Sequence, residues 1–432
     1  MSKRPDAAIF PTSPWSDLAP PSAGFAALPG DLSVDVLIIG GGFTGLSTAL
    51  HLAEQGVQPA LIEAQTIGFG ASGRNGGQVI PGLKHDPDEI VAGFGPERGE
   101  AIVDFVGAAP SRLFDIVARY AIDCAAHQAG WLQGVHHRSA LAAVERRAQA
   151  WRSRGVPVDV LTSTETERRT GSPVYCAGYF DPRGGTVNPL ALARGLALAA
   201  ASRGAAIYQQ TPASDLQRVG QSWRVTTPKG TITAARVLLA TNAYTGALWP
   251  GLDSSMIPLY SYQVATQPLS DNLRATLVPN GLGLSETRRL LYYARQDAAG
   301  RLLVGGRGRH IERPDSEDFK PVIKGLQLLF PALETPALSF RWSGLLAVTR
   351  DHLPHIGEVA PGLSAAMCYN GRGVALTTAL GAPLARHLCG EALDALPVPS
   401  RPIRPLPFAR LRGLMRALAI AGNRLQDWRE SG

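Results

Sequence analysis

Along the first part of the chain, apolar residues come in short unbroken runs rather than in alternation. Residues 34–40 (VDVLIIG) and 58–63 (QPALIE) are two such runs, as strands buried on both faces of a parallel sheet require. Between them, residues 43–55 space Leu46, Leu50 and Ala53 at helical intervals, and Gly56 is placed to end that helix. Strand, helix and strand make a βαβ unit of about 30 residues, the length this motif needs. Helices are also expected over residues 87–120 and 139–154. Asn188 and Pro189 form an N-cap and first-turn pair that opens a helix to about residue 203. Residues 206–210, 236–240 and 364–369 read as strands, and 374–388 as the helix after the last of them. Residues 256–311 alternate and turn instead, which predicts an antiparallel sheet. No internal repeat or low-complexity tract is evident.

The 432 residues are 45% hydrophobic and 18% charged, enough apolar material for a large core in two or three domains. No uncharged apolar stretch reaches the ~18 residues of a membrane-spanning helix. Residues 1–30 read as an extended lead, and the first 21 hold five prolines without a signal-peptide core. A cytoplasmic location is the expectation. The net charge is +7, but residues 401–432 alone contribute +5, so the body is nearly neutral and nothing points to nucleic acid. Cys124, Cys176, Cys368 and Cys389 stand far apart, as buried free thiols do.

Two stretches fit the glycine pattern GxGxxG, at Gly40-Gly42-Gly45 and Gly68-Gly70-Gly73. In a chain with 47 glycines the pattern means little without context. Only the first follows a strand and opens a helix. There Gly40 permits the tight turn, Gly42 lets backbone approach a pyrophosphate, and Gly45 packs helix on strand. Glu63 closes the second strand, where a carboxylate accepts hydrogen bonds from ribose hydroxyls and repels a 2′-phosphate. NADP is thereby disfavoured; FAD and NAD are not separated by this unit.

The stretch GFGASGRNGGQ at residues 68–78 resembles the FAD-dependent amine and D-amino-acid oxidoreductase superfamily. The similarity is greatest to its gamma-glutamylputrescine oxidoreductase-like group. It extends through SPWSDLAP, DVLIIGGGFTGLSTALHL, RVLLATNAY, GRLLVGGRG, RWSGLLAVTRDHLPHIG and YNGRGVALTTALG, in order, over most of the chain. The resemblance implies an α/β (α+β) protein. A Rossmann-like FAD-binding domain would be assembled from residues 31–85, 186–250 and 341–395. An antiparallel-sheet substrate domain would comprise 86–185 and 251–340, and 396–432 would be a basic tail.

It also implies roles. Ser72, Arg74, Asn75, Gly76, Gly77 and Gln78 would wrap the pyrophosphate and the flavin edge, and Ala213 would meet the adenine. Thr241 and Asn242 would line the cofactor. Gly371, Arg372, Gly373, Val374 and Ala375 would begin a helix whose N–H groups hold the flavin pyrimidine oxygens. Relatives that attach FAD covalently use a Cys where Gly344 stands, so a non-covalent FAD is expected. Oxygen-reactive relatives place a Lys in the strand around Tyr292 and Tyr293. None of the five lysines falls there, which leaves both O2 and a quinone open as electron acceptor. Relatives that clamp a small amino-acid carboxylate use basic residues near Gln78 and Ala375; both are uncharged here, which favours a longer amine.

The reaction implied is oxidation of a C–N bond, with hydride passing to the flavin and the imine hydrolysing in water. The protein has to orient a deprotonated amine, which a desolvated aromatic site favours. Tyr260 and Tyr262, at a spacing of two on one strand face, are candidate walls, with Tyr293, Arg295 and Trp342. Gamma-glutamylputrescine is the substrate expected first. A D-amino-acid or N-methyl amino-acid dehydrogenase is the alternative, and a non-catalytic flavin-binding subunit is an alternative of another class. His352 and His355 flank a Pro in the cofactor segment and do not read as a metal pair. In the tail, Arg410, Arg412, Arg416 and Arg424 interleave with leucines. That pattern suits an interfacial helix, but packing on its own domain is the simpler reading, so membrane contact is not favoured.

Overall fold

The computed structural model describes residues 12–407 except 310, 312, 313 and 335, with 413, 420, 422, 426, 427, 429 and 430 beyond them. Two eight-stranded sheets organise the chain.

The first sheet has a parallel centre in the order Ala206–Tyr208, Ala60–Ile62, Leu32–Ile39, Gly230–Leu239 and Leu363–Met367. Its strands are apolar runs because both faces are covered. Helices Phe43–Glu54 and Pro189–Ser202 pack together on one face. Asn188 caps the latter helix, its side-chain oxygen accepting from the N–H groups of Leu190 and Ala191. An antiparallel extension, Asp215–Val219 with Ser222–Thr227, continues from Gly230–Leu239.

The second sheet runs Leu338–Val348, Ile257–Pro268, Arg301–Arg307, Tyr293–Gln296, Gly283–Glu286, Trp131–Val135, Ala177–Asp181 and Asp159–Thr162. Every pairing is antiparallel except that of Gly283–Glu286 with Trp131–Val135. Helix Lys320–Leu329 covers one face. The strand Leu338–Val348 passes through the boundary expected at residue 341 and pairs with Ile257–Pro268 along its length, so residues 341–348 belong to this sheet.

Two local expectations need correction, and the helical reading of residues 87–120 is borne out in finer detail. The lead segment is not extended throughout: Ser13 and Pro14 start a short helix, Pro14–Leu18, because Trp15 is buried, edge-on to Trp342 with ring centroids 6.2 Å apart. Residues 87–120 form three helices, Pro87–Phe94, Pro96–Gly107 and Ala109–Arg119, the first break falling at Gly95, whose φ is +81°. The helix expected over 374–388 is two, Gly373–Ala379 and Gly381–Leu388. Ser47 Oγ donates to the Thr378 carbonyl at 2.6 Å there, and a Cβ at Gly381 would lie 2.1 Å from that oxygen. Of the cysteines, Cys124 and Cys368 are buried, Cys176 is half-buried and Cys389 is exposed; all four are free thiols. Among the described residues no helix is long and apolar enough to cross a membrane. Arg410, Arg412, Arg416 and Arg424, which carry the interfacial reading of the tail, lie outside the described residues.

Candidate active site

A single cavity of about 1320 Å³ runs from the glycine turn of the first sheet to the inner face of the second. It exceeds the roughly 300–1,000 Å³ of an ordinary small-ligand site. At one end stand Gly40, Gly42, Glu63, Ala213, Thr241 and Asn242; at the other Tyr260, Gln263, Tyr293, Trp131 and Lys84.

The first end is built by close approach. A Cβ at Gly45 would lie 2.1 Å from the Gly40 carbonyl oxygen, and one at Gly42 would lie 2.8 Å from Ser72 Oγ. Gly45 is therefore a packing glycine behind the cavity, as its place in the motif requires. Ser72 Oγ accepts from the Phe43 N–H at 3.0 Å, tying the loop after the second strand to the start of the helix. Glu63 accepts from the N–H groups of Gly41 at 2.7 Å and Gln65 at 2.9 Å. Burial raises its pKa, and the backbone hydrogen bonds only partly offset that. Thr241 Oγ1 and Thr245 Oγ1 line this end, buried and without partners among the described residues. Asn242 adopts φ +46° and accepts from the Cys368 N–H at 3.0 Å.

The loop 68–78 bridges the two ends. Arg74 folds back, its Nε donating to the Phe69 carbonyl at 2.6 Å and its guanidinium 4.4 Å from the Phe69 ring. Asn75 spends its side chain within the loop: it donates to the carbonyls of Ala71 and Ser72 and accepts from Gly77 N–H. Gly344 lies against Arg74, its hypothetical Cβ 3.2 Å from the Arg74 Cβ. Gln78 donates to the carbonyls of Leu284 and Ala294, which leaves its Oε1 buried without a partner.

At the second end, register decides which side chains face in. Tyr293, Gly305, Gln263 and Trp342 stand in one row across four strands, and Arg307, Ser261 and Gly344 in the next row on that face. Gln263 Nε2 donates to the Arg74 carbonyl at 2.6 Å and Trp342 Nε1 to the same oxygen at 2.9 Å. Gln263 Oε1 remains buried and unpartnered. Ser261 Oγ donates to the Gly306 carbonyl and so accepts from Tyr293 OH, at 2.8 Å. Burial pushes the Tyr293 phenol above its ordinary range. Its ring leaves no room for a Cβ at Gly76 or Gly305.

Several expected residues stand elsewhere. Tyr262 faces away from the cavity, fully buried, its ring 4.9 Å from Phe319 by centroid. Arg295 lies on the Tyr293 face but beyond the cavity, donating to the carbonyls of Val187 at 2.6 Å and Gly77 at 3.1 Å. Gly77 sits beneath it at φ +67° with Val187 O where a Cβ would go, so it shapes the turn rather than the lining. Ala375 packs in the core, while Gly371, Arg372, Gly373 and Val374 do line the cavity. Arg372 points its guanidinium over the Trp131 ring and donates to the Pro81 carbonyl at 2.8 Å.

Sequence reasoning missed Ser261, Gln263 and Lys84. The signal for the first two is the alternation YSYQ itself, read for its aromatic rather than its polar face. Lys84 carries no motif. His352 lines the cavity and His355 meets Ser255 Oγ at 3.3 Å. Among the described residues, His136, Asp427 and Glu430 bring potential metal ligands within 4.8 Å of one another, but Arg289 already bonds both carboxylates.

The arrangement fits an FAD. A glycine turn without room for side chains faces a half-buried carboxylate with no cationic partner among the described residues, and Gln78, Thr241, Thr245 and Gln263, each with a polar atom left unpartnered, line the rest of the cavity. Residues 35–387 match the family described as FAD dependent oxidoreductase. Gamma-glutamylputrescine oxidoreductase of Escherichia coli K12 is 31% identical over 408 residues, 94% of this chain and 95% of that protein. The probable oxidoreductase OrdL of Rhizobium meliloti is 32% identical over 424 residues, 97% of this chain and 98% of that one. Among solved structures, glycine oxidase from Geobacillus kaustophilus superposes with a TM-score of 0.70 at 23% identity, covering 84% of this chain and 95% of the other.

Proposed function

The chain belongs to the FAD dependent oxidoreductase family, and from that premise we propose that it oxidises a C–N bond of gamma-glutamylputrescine or a related polyamine derivative. The observation that carries the reading is the 31% identity to an oxidoreductase of that substrate across nearly the full length of both chains. The neutral side chain of Gln78 at the cavity agrees with it.

Gly40, Gly42 and Ser72 would hold the pyrophosphate, Glu63 the ribose, Thr241 and Asn242 the middle of the cofactor, and Gly371 to Val374 the flavin. The cofactor part is assigned to residues 31–85, 186–250 and 349–395, and the substrate part to 86–185 and 251–348. The FAD is held non-covalently: Gly344 offers no nucleophile, and among the described residues no cysteine lines the cavity. When bound, FAD supplies the hydride acceptor. The protein's part is to position the amine. Gln78 and Gln263 line the site with neutral amides, and an uncharged lining does not favour the ammonium form over the free amine. Tyr260, Tyr293 and Trp342 exclude water around it, which again favours the neutral amine.

The test is anaerobic addition of gamma-glutamylputrescine to the purified flavoprotein. Bleaching of the visible flavin bands is the expected result, and admitting air then separates an oxidase from a dehydrogenase. Bands that persist with this and other amines, yet bleach with D-amino or N-methyl amino acids, would overturn the substrate assignment.

A further inference from the structure

Lys84 lines the cavity and makes no hydrogen bond or ion pair among the described residues. Lys84 is exposed to the cavity, and the surrounding walls keep enough protein near it to disfavour its charge. Burial, then repulsion from Arg372 and Arg147, pushes its pKa down to about 8. The neighbouring carboxylates are already engaged, Asp86 with Arg147 and Asp351 with Arg401. His352, also at the cavity, feels Lys84 as a positive charge. Asp86 and Asp181 act on Arg372 and Asp351 on His352, while no carboxylate among the described residues bonds Lys84.

The position is also rigid. Gly82 N–H donates to the Val106 carbonyl at 3.0 Å, Arg372 donates to the Pro81 carbonyl at 2.8 Å, and His85 Nε2 lies 2.7 Å from the Asp351 carbonyl. The residues on both sides of Lys84 are pinned while its own ammonium is left over. An unpaired ammonium that faces a cavity from a fixed backbone is placed to form a charge-assisted hydrogen bond with an anionic group of a ligand.

We propose that Lys84 is a specificity residue that binds a carboxylate on the substrate. The inference rests on the amine-oxidising reading above and deepens it: the substrate is an amine that also carries a carboxylate, as the glutamyl group of gamma-glutamylputrescine does. The charge lies apart from Gln78 and Ala375, the uncharged positions at which relatives clamp a small amino acid, so it suits a longer molecule.

The experiment compares the parent flavoprotein with K84M and K84R, K84R keeping the charge as a control for folding. Two readouts are taken: kcat/KM for gamma-glutamylputrescine relative to putrescine, which lacks the carboxylate, and calorimetric binding of glutarate. A charge-assisted hydrogen bond lost in K84M lowers the kcat/KM ratio and the glutarate affinity by roughly 10–100-fold, with most of both retained in K84R. Glutarate that binds K84M as well as the parent, or binds neither, overturns the proposal. So does a fall in kcat that is equal for both amines, which marks Lys84 as a base instead. If the parent oxidises neither amine, the reading of the substrate falls, while the glutarate titration still decides the role of Lys84.

Discussion

Glu63→Gln separates the cofactor role of this side chain from its role in the fold. The carboxylate is half-buried, has no cation among the groups that act on it, and holds two backbone N–H groups, Gly41 at 2.7 Å and Gln65 at 2.9 Å. An amide has one acceptor oxygen, so one of these donors is left facing an NH2 group, a loss of about 1–3 kcal/mol. Against this, burial has raised the Glu63 pKa, which means that folding works against its charge, and the neutral amide is relieved of that cost. The two effects oppose, so the apoprotein should unfold in urea closer to the parent midpoint than the lost hydrogen bond alone would place it. Binding has no such compensation. A ribose hydroxyl that donates to a carboxylate loses a charge-assisted bond of about 1.5–3 kcal/mol, which is roughly 10–150-fold in FAD affinity. Titrating apoprotein with FAD and following flavin fluorescence measures it. E63Q with an FAD Kd within twofold of the parent would refute the assignment of Glu63 to the cofactor. Urea unfolding at a much lower midpoint would show instead that the carboxylate serves the glycine turn alone.

Three further outcomes are expected. Trp15→Ala removes a fully buried ring that packs on Trp342 and lies 5.3 Å from the Arg295 guanidinium; it should destabilise the protein by about 3–5 kcal/mol in chemical denaturation. Tyr262→Phe removes a buried hydroxyl with no partner among the described residues, so stability should hold or rise by up to about 1 kcal/mol and kcat/KM should stay near the parent value; a large fall in kcat/KM would return Tyr262 to the site. Glu286 is buried and bonded to Arg288, yet burial outweighs that partner and pushes its pKa up to about 7. A carboxyl raised in the folded state favours folding below its unfolded pKa and loses that contribution as the pH rises to about 7. In urea denaturation the parent should therefore lose stability relative to Glu286→Gln between about pH 4.5 and 7, by at most about 1.4 kcal/mol per pH unit.

The first sheet was legible because its strands are apolar on both faces and its glycines obey sterics that any residue-by-residue reading sees. Gly40, Gly42 and Gly45 stand where a turn, a close approach and a helix contact need them. The break between the two helices at residues 373–388 is signalled by Gly381 and Pro383, which a single-helix reading passes over; the Ser47 hydroxyl that reaches the Thr378 carbonyl there, from more than 300 positions away, was not legible. Lys84 was invisible for a similar reason. Its neighbours in sequence say nothing of the cavity, and only the anchoring of Pro81 by Arg372 and of His85 by Asp351 brings it there.

The error over Tyr262 has a different origin. In the strand Ile257–Pro268, alternation correctly separates Tyr262 and Val264 from Ser261 and Gln263, but periodicity alone does not say which face meets a cofactor. Tyr262 and Val264 lie with the helix Lys320–Leu329, which is apolar at Val322, Leu326 and Leu329 and needs apolar partners, whereas Tyr260, nearer the start of the strand, still lines the cavity. Once that helix covers one face, the polar residues have to face the other sheet. There Gln263 joins Trp342 in holding the Arg74 carbonyl, and Ser261 orients Tyr293. An aromatic residue is thus poor evidence for a substrate wall when a helix further along the chain carries a matching apolar stripe. The polar residues between the aromatics are the better pointer, because a polar side chain on a buried strand face must find a partner, and at Gln263 one amide oxygen is still without one.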